Sequence, residues 1–321
     1  MVHRLGLWMA CGLIFLAMAC QEAEQAPIQP KRVDVGPSIL VLGTAQDAGS
    51  PQAGCYKECC RELWVGGHPP RRVTSLGLRD GKGKYWMFEA SPDFPAQMSQ
   101  MSPWLGQPKI QLPAGIFLTH AHIGHYTGLM HLGREVYGAQ EIPVYTMPRM
   151  AEFIRTNGPW SQLVDLNNIE LRLMKADSLL QLSAEISVQP VLVPHRDEFS
   201  ETVGFKIQGP HKSLLFIPDI DKWSKWGRDL KEEVKKHDWV LIDGTFFSGK
   251  ELPGRDMAEI PHPSVEESMA YLKGLDSLQK SKVVFIHLNH TNPLWNKSSQ
   301  EFDQVQKAGY SVAYLGQEIT L

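Results

Sequence analysis

The chain has 321 residues, 43% of them apolar and 21% charged, with a formal net charge of −3. That is the balance of an ordinary soluble globular protein, and the length suits one large α/β domain or two small ones. No Lys/Arg stripe runs along any predicted helix, so nothing in the charge pattern offers a nucleic-acid footprint.

The first twenty residues differ from the rest. Arg4 precedes an apolar stretch, Leu5 to Ala19, and Cys20 opens the polar segment QEAEQAPIQP. A positive start, a short apolar run and a small residue before the cut read as an export signal. The run falls short of the ~20 residues of a comfortable membrane span. Two versions of the signal stand. The ending LAMAC, residues 16–20, resembles a bacterial lipoprotein signal, which is cut before a cysteine that then carries lipid, here Cys20. The other version is a plain secretory signal cleaved nearby. Either places the protein outside the cytoplasm of a bacterium, in the periplasm or anchored to a membrane. Residues 21–37 lack periodicity and read as a flexible tether, leaving 38–321 as the folded domain.

Five cysteines are present: Cys11, Cys20, Cys55, Cys59 and Cys60. With Cys11 inside the signal and Cys20 committed to lipid, three remain, crowded in GCYKECC. Three cannot pair off, and adjacent Cys59 and Cys60 make a strained disulfide set. Clustered cysteines in an exported protein default to disulfides, but the odd count favours a thiolate metal site with a fourth ligand from elsewhere.

From residue 38 strands and helices alternate. Residues 38–43 have a buried-strand pattern, followed by the loop TAQDAGSPQAG. Residues 73–79 and 84–90 are strands across the turn DGKGK, and 92–101 a helix. The segment 117–129, FLTHAHIGHYTGL, carries the chemistry. An apolar run, 115–118, feeds His120, His122 and His125, and a helix is predicted over 126–138. A strand ending in such a loop can point several imidazoles at one spot, and imidazole is the commonest protein ligand for zinc-like metals. Twelve histidines in 321 residues rarely put three within six positions by chance. A short strand at 143–147 leads to a helix over 148–156, with proline in its first turn.

The second half repeats this grammar. Strands are predicted at 169–175 and 185–193, the latter running into His195. A hairpin of 203–208 and 213–217 ends at Asp219, a strand at 239–242 ends at Asp243, and one at 283–286 ends at His287. Helices over 222–236, 264–275 and 300–308 separate them. One strand-end histidine is usually a hydrogen-bonded structural residue. The repeated ending on metal-capable side chains, His120, His195, Asp219, Asp243 and His287, points instead to a site gathered from one end of an α/β sheet.

Together these residues resemble the metallo-β-lactamase fold, an α/β four-layer αββα sandwich with its metal site at one edge between two sheets. The resemblance covers essentially the whole of 38–321. The family signature HxHxDH is carried as His120, His122, Gly124 and His125, with glycine where the family places aspartate. By order and context the later ligands fall on His195, Asp219 and His287. The resemblance implies a first metal on His120, His122 and His195 and a second on His125, Asp219 and His287, with Asp219 near enough to bridge. The ions expected are one or two zincs, with Mn or Fe as alternatives. Gly124 removes a negative charge beside the second ion, whose affinity is expected to fall. Asp243 is expected to orient a ligand histidine rather than bind.

Two branches are closer. The segments LGTAQDAGSPQAGC, DGTFFSGKE…IPHPS and FIHLNHTNP resemble the B protein of pyrroloquinoline quinone biosynthesis. The phosphonate-operon cyclic phosphodiesterases keep the active-site ligands and add a structural zinc on three early cysteines and a late histidine. By that analogy Cys55, Cys59, Cys60 and His290 form a closed Cys₃His site, although CxxxCC departs from that branch's CxCxxC. His262, in IPHPS, resembles the histidine that protonates the leaving group in phosphodiesterase and tRNA-processing relatives. Its alternative is a helix-entry histidine with a backbone partner.

Three functions follow. The leading one is a metal-dependent hydrolase of a small phosphodiester or other ester. A metal lowers the pKa of bound water from about 15.7 toward ~7, and the resulting hydroxide attacks. The second is a non-hydrolytic binding, carrier or oxidising role like that of the quinone-biosynthesis branch, motivated by Gly124. The third is a structural lipoprotein whose only zinc is the cysteine one. β-Lactam hydrolysis is disfavoured, because LGTAQDAG and DGTF belong to the phosphodiesterase-like side of the fold.

Overall fold

The computed structural model describes residues 36–321. The expected export signal, the lipid site at Cys20 and nearly all of the tether lie outside the described residues. Among those described, no helix is long and apolar enough to cross a membrane.

Strands β1 (Ser38–Gly43), β2 (Ser75–Arg79), β3 (Tyr85–Phe88), β4 (Ile116–Phe117), β5 (Ile142–Thr146) and β6 (Ile169–Leu173) lie side by side in that order. A second sheet repeats the plan with β7 (Leu180–Gln181), β8 (Ser187–Leu192), β9 (Val203–Gln208), β10 (Ser213–Ile217), β11 (Trp239–Asp243), β12 (Val283–Ile286) and β13 (Ser311–Val312). The C-terminal strand, β14 (Glu318–Thr320), returns to pair antiparallel with β1.

The inner strands β1, β3, β10 and β12 are buried on both faces, so they read as largely unbroken apolar runs instead of alternating ones. The two faces nevertheless go to different places. Ile39 and Val41 of β1, Leu214 and Phe216 of β10, and Val284 and Ile286 of β12 pack into the space between the sheets. Their neighbours Leu40 and Leu42 face the first helical layer. Leu215, Ile217, Val283 and Phe285 face the second. Between the sheets, Phe88 stacks on Phe117 at 4.9 Å and meets Phe205 of the opposite sheet edge-on at 5.2 Å. Burying each such side chain contributes roughly 1.5–3 kcal/mol.

The helices are short. α1 (Glu58–Trp64) carries two of the cysteines. α2 (Phe94–Trp104), α4 (Pro148–Thr156) and α5 (Trp160–Asp165) cover the first sheet with Phe94, Met98, Met150, Ile154 and Leu163; α3 (Ile123–Tyr126) lies in the histidine segment. α6 (Leu230–Lys236), α7 (Val265–Tyr271) and α9 (Gln300–Lys307), with α8 (Ser277–Lys280) between the last two, flank the second sheet, where Leu230, Val234, Val265 and Val305 are buried. Helix, sheet, sheet, helix is the expected four-layer sandwich.

Two predicted helices are corrected. The one over 126–138 is the single turn α3 followed by a 3-10 segment, Thr127–Leu132. Gly128 sits where an added Cβ would lie 2.1 Å from the Ser91 carbonyl, and the contact suits a tight turn against α2, not a regular helix. The one over 222–236 divides into a 3-10 turn, Trp223–Lys225, and α6, because Asp229 caps a new start by accepting from the Lys231 N–H.

Direction matters most for the site. β1 and β3 are both antiparallel to β2, and β3 to β6 run parallel. β8 and β10 are both antiparallel to β9, and β10 to β13 run parallel. Consequently β1, β3 and β4 end at one edge of their sheet, and β8, β10, β11 and β12 end at one edge of theirs. Backbone hydrogen bonds stitch these edges together: Leu288 N–H to the Thr44 carbonyl (2.8 Å), Gln46 N–H to the Leu288 carbonyl (2.9 Å) and Val203 N–H to the Thr119 carbonyl (3.2 Å).

Gly43 is where β1 must pass closest to its neighbour. An added Cβ would lie 1.9 Å from the Val73 carbonyl oxygen, a backbone atom that cannot turn aside. Gly43→Ala is expected to lower the urea midpoint at unchanged slope, a loss of about 1–3 kcal/mol. An unshifted midpoint would show that this crossing is slack.

Candidate metal centre

Three short apolar endings of the first sheet deliver side chains to the stitched edge. β1 leads to Asp47, β3 to Glu89, and β4 to Thr119, His120, His122 and His125. From the second sheet, β8 leads to His195, β10 to Asp219, β11 to Asp243 and β12 to His287. The side chains of His120, His125, His195, Asp219, Asp243 and His287 are at most 2% exposed.

The structure brings the predicted histidines together. One donor atom each from His120, His122, His195 and Asp219 lies within 4.8 Å of all the others. The same holds for His125, Asp219 and His287, joined by Asp47. Asp219 sits between the two sets. Its Oδ2 lies 3.5 Å from His120 Nε2 and 3.7 Å from His125 Nε2, and its Oδ1 lies 3.3 Å from His195 Nε2 and 3.1 Å from His262 Nδ1. Burial opposes ionisation of Asp219, but the surrounding imidazoles, His195 and His262 foremost, hold its pKa well below the usual carboxylate range.

The donor chemistry fits a cation. Both ring nitrogens of His195 and Asp219 Oδ1 are buried without a hydrogen bond of good geometry, even though His195 Nε2 and Asp219 Oδ1 are close. Buried polar atoms are normally satisfied. Imidazole nitrogens and a carboxylate left unmatched around one space are the donors zinc takes in catalytic sites.

The partners of these rings fix their orientation. Glu89, fully buried, lies 3.1 Å from His125 Nδ1 and accepts a 2.5 Å bond from the Thr119 hydroxyl. With His125 Nδ1–H donated there, Nε2 is left for a metal, the arrangement by which an outer carboxylate sets a ligand's tautomer. Burial works against protonation of His125, yet Glu89 and Asp47 raise its pKa well above the ordinary histidine value. Asp243 behaves differently from expectation. Its Oδ2 lies 2.8 Å from Nδ1 of His262, not of a ligand histidine, and its Oδ1 accepts from the Thr245 hydroxyl and N–H. Thr245 Oγ1 in turn lies 3.0 Å from His287 Nδ1, so Asp243 reaches that ring through a relay. The His262 ring is held by carboxylates and Thr245, and no backbone partner holds it.

Sequence reasoning missed Asp47 and Glu89. Asp47 Oδ1 lies 3.0 Å from His125 Nε2 and 3.3 Å from His287 Nε2. The inferred shortage of carboxylate at the second set is therefore corrected: a loop far away in sequence brings one in. The only signal was an acid in the loop after β1. Glu89 carried none beyond its place at a strand end.

Away from this edge, Cys55, Cys59, Cys60 and His290 form a second cluster with donors within 4.8 Å. The sulfurs of Cys55 and Cys59 are 3.8 Å apart and those of Cys59 and Cys60 3.9 Å, while His290 Nδ1 is 3.3 Å from Cys60 Sγ. Four sulfurs at ~2.3 Å around a tetrahedral zinc would stand ~3.8 Å apart. No disulfide links these three cysteines. Burial and the neighbouring sulfurs push the Cys59 thiol up to about 12.

Comparison with known proteins agrees with this geometry. The beta-lactamase superfamily domain matches residues 85–288, and the chain belongs to that family, in the metallo-β-lactamase fold. Within it, the chain resembles the PqqB proteins. It is 25% identical over 310 residues to coenzyme PQQ synthesis protein B of Rhizobium meliloti (strain 1021), covering 88% of this chain and 97% of that protein. Its fold is similar to that of zinc-bound PqqB from Methylobacterium extorquens, with a TM-score of 0.74, 23% identity and coverage of 88% and 100%. It is also similar to a diphosphatase of the PhnP family, with a TM-score of 0.62, 19% identity and coverage of 88% and 96%.

Zinc counting separates the two clusters. His290→Ala is expected to lower the zinc content by one ion per chain and leave zinc at the histidine edge. Unchanged content would remove His290 from the cysteine site.

Proposed function

We propose that the protein is a metal-dependent hydrolase of a small phosphodiester or another small ester. The observation that carries this reading is His262, held by Asp243 at 2.8 Å and close to Asp219, beside a complete set of metal-type donors. In this reading His120, His122, His195 and Asp219 hold one zinc-type ion. A bound dication acidifies water toward neutral pH and stabilises negative charge as it develops on the substrate.

The chain's own groups do the rest. Burial lowers the proton affinity of His262, but Asp243 and Asp219 outweigh it and hold the pKa up at about 10. When Asp219 shares its charge with a cation, its pull on His262 weakens, bringing the ring toward the range useful for proton transfer. With Nδ1 tied to Asp243, the proton on Nε2 is the one available to a departing oxygen. Glu89, Thr119 and Thr245 keep the ligand rings turned the right way. The substrate is a small molecule, and the site works outside the cytoplasm with the chain anchored through Cys20.

A second reading has specific support. The likeness to coenzyme PQQ synthesis protein B runs over 88% of this chain, so a non-hydrolytic binding or carrier role in quinone cofactor chemistry is its rival. Export fits that pathway poorly.

The two are separated by turnover of aryl phosphodiesters with added Zn²⁺ or Mn²⁺. Hydrolysis is expected, with His262→Gln lowering kcat by ~10²–10⁴-fold, the usual contribution of a positioned acid, at unchanged zinc content. No turnover of any ester class by fully metallated protein would favour the rival.

A further inference from the structure

We infer that Asp47 is a ligand of a second metal ion, held with His125, Asp219 and His287, and that residue 124 is glycine because Asp47 occupies the space its side chain would need. The inference rests on the metal reading of the histidine edge and deepens it.

The first support is convergence. Donor atoms of Asp47, His125, Asp219 and His287 all lie within 4.8 Å of one another, two imidazoles and two carboxylates. Such a set satisfies a divalent cation's preference for mixed nitrogen and oxygen donors and balances its charge. The second support is steric and independent of the first. A Cβ added to Gly124 would lie 2.4 Å from the Asp47 Cα, 2.6 Å from its Oδ1 and 2.8 Å from its Cβ. Two of these atoms belong to the residue's root and cannot swing away. A side chain at 124 and the observed position of Asp47 are therefore mutually exclusive.

The third support is how firmly the loop is held. Gln46 donates its N–H to the Leu288 carbonyl (2.9 Å), and its side-chain oxygen accepts from the Asn289 amide (2.6 Å). Ala45 bridges both Val73 and Leu288. Asp47 is thus fixed against the residues flanking His287, and the ligand is carried by backbone pairing across the two sheets. The expected weak second site is replaced by one whose acidic ligand has moved to another part of the chain.

The test is zinc stoichiometry and affinity on the full chain, read by elemental analysis and by competition with a chromogenic chelator. Wild type is expected to hold two ions at the histidine edge besides the cysteine one. Asp47→Asn, nearly the same shape, is expected to weaken one of the two by at least ~100-fold, since even outer partners of ligands cost ~10–100-fold. Gly124→Asp alone is expected to displace the loop and weaken the same ion. The exchange Asp47→Gly with Gly124→Asp is expected to recover affinity relative to either single change. Asp47→Asn binding both ions as wild type does, or a wild type that takes only one ion there at saturating zinc, overturns this inference and leaves the metal reading standing. A metal content unchanged by His120→Ala overturns the metal reading itself.

Discussion

One buried carboxylate, Asp219, joins the halves of this molecule. It leaves the second sheet at the end of β10 and lies within 3.7 Å of imidazole nitrogens from both sheets. A charge at 2% exposure costs several kcal/mol unless matched. The match comes from rings that only the closed seam can assemble. Packing between the sheets brings the edges together, and the edges supply the groups that make Asp219 tolerable there. Removing one partner would leave the others uncompensated, so the site and the seam are parts of one arrangement.

Much of this was legible in the sequence because strand endings are local. The patterns ending at His120, His195, Asp219, Asp243 and His287 each needed only a few apolar residues to be read. The sandwich itself came from the resemblance those residues carry to the metallo-β-lactamase fold. Short pieces were harder: α1, α5, α8 and the edge strands β7, β13 and β14 carry too few residues for any period to show. The helix over 126–138 failed because the Gly128 contact with the Ser91 carbonyl is made through space. Asp47 was invisible for the same reason. A glycine in a metal motif reads as a loss until the fold shows what fills the gap.

The cysteine cluster bears on the same edge. Cys55 follows Asp47 along one loop, and His290 follows His287 by one short turn. Bringing the three sulfurs to His290 closes the far end of the loop whose near end is paired to Leu288. The two clusters are separate in chemistry but share their supporting backbone.

His287 and Glu89 have a further property in common. Both adopt left-handed backbone conformations, at φ of +67° and +76°, that residues with side chains rarely take. Each such residue costs of order 1–3 kcal/mol. The sharp turn lifts both side chains off their strands and into the seam. Glycine at either position would relax the backbone and discard the functional group together. Selection for durability alone would favour that exchange, so histidine and glutamate in this conformation mark a place where the chain gives up robustness to keep its chemistry.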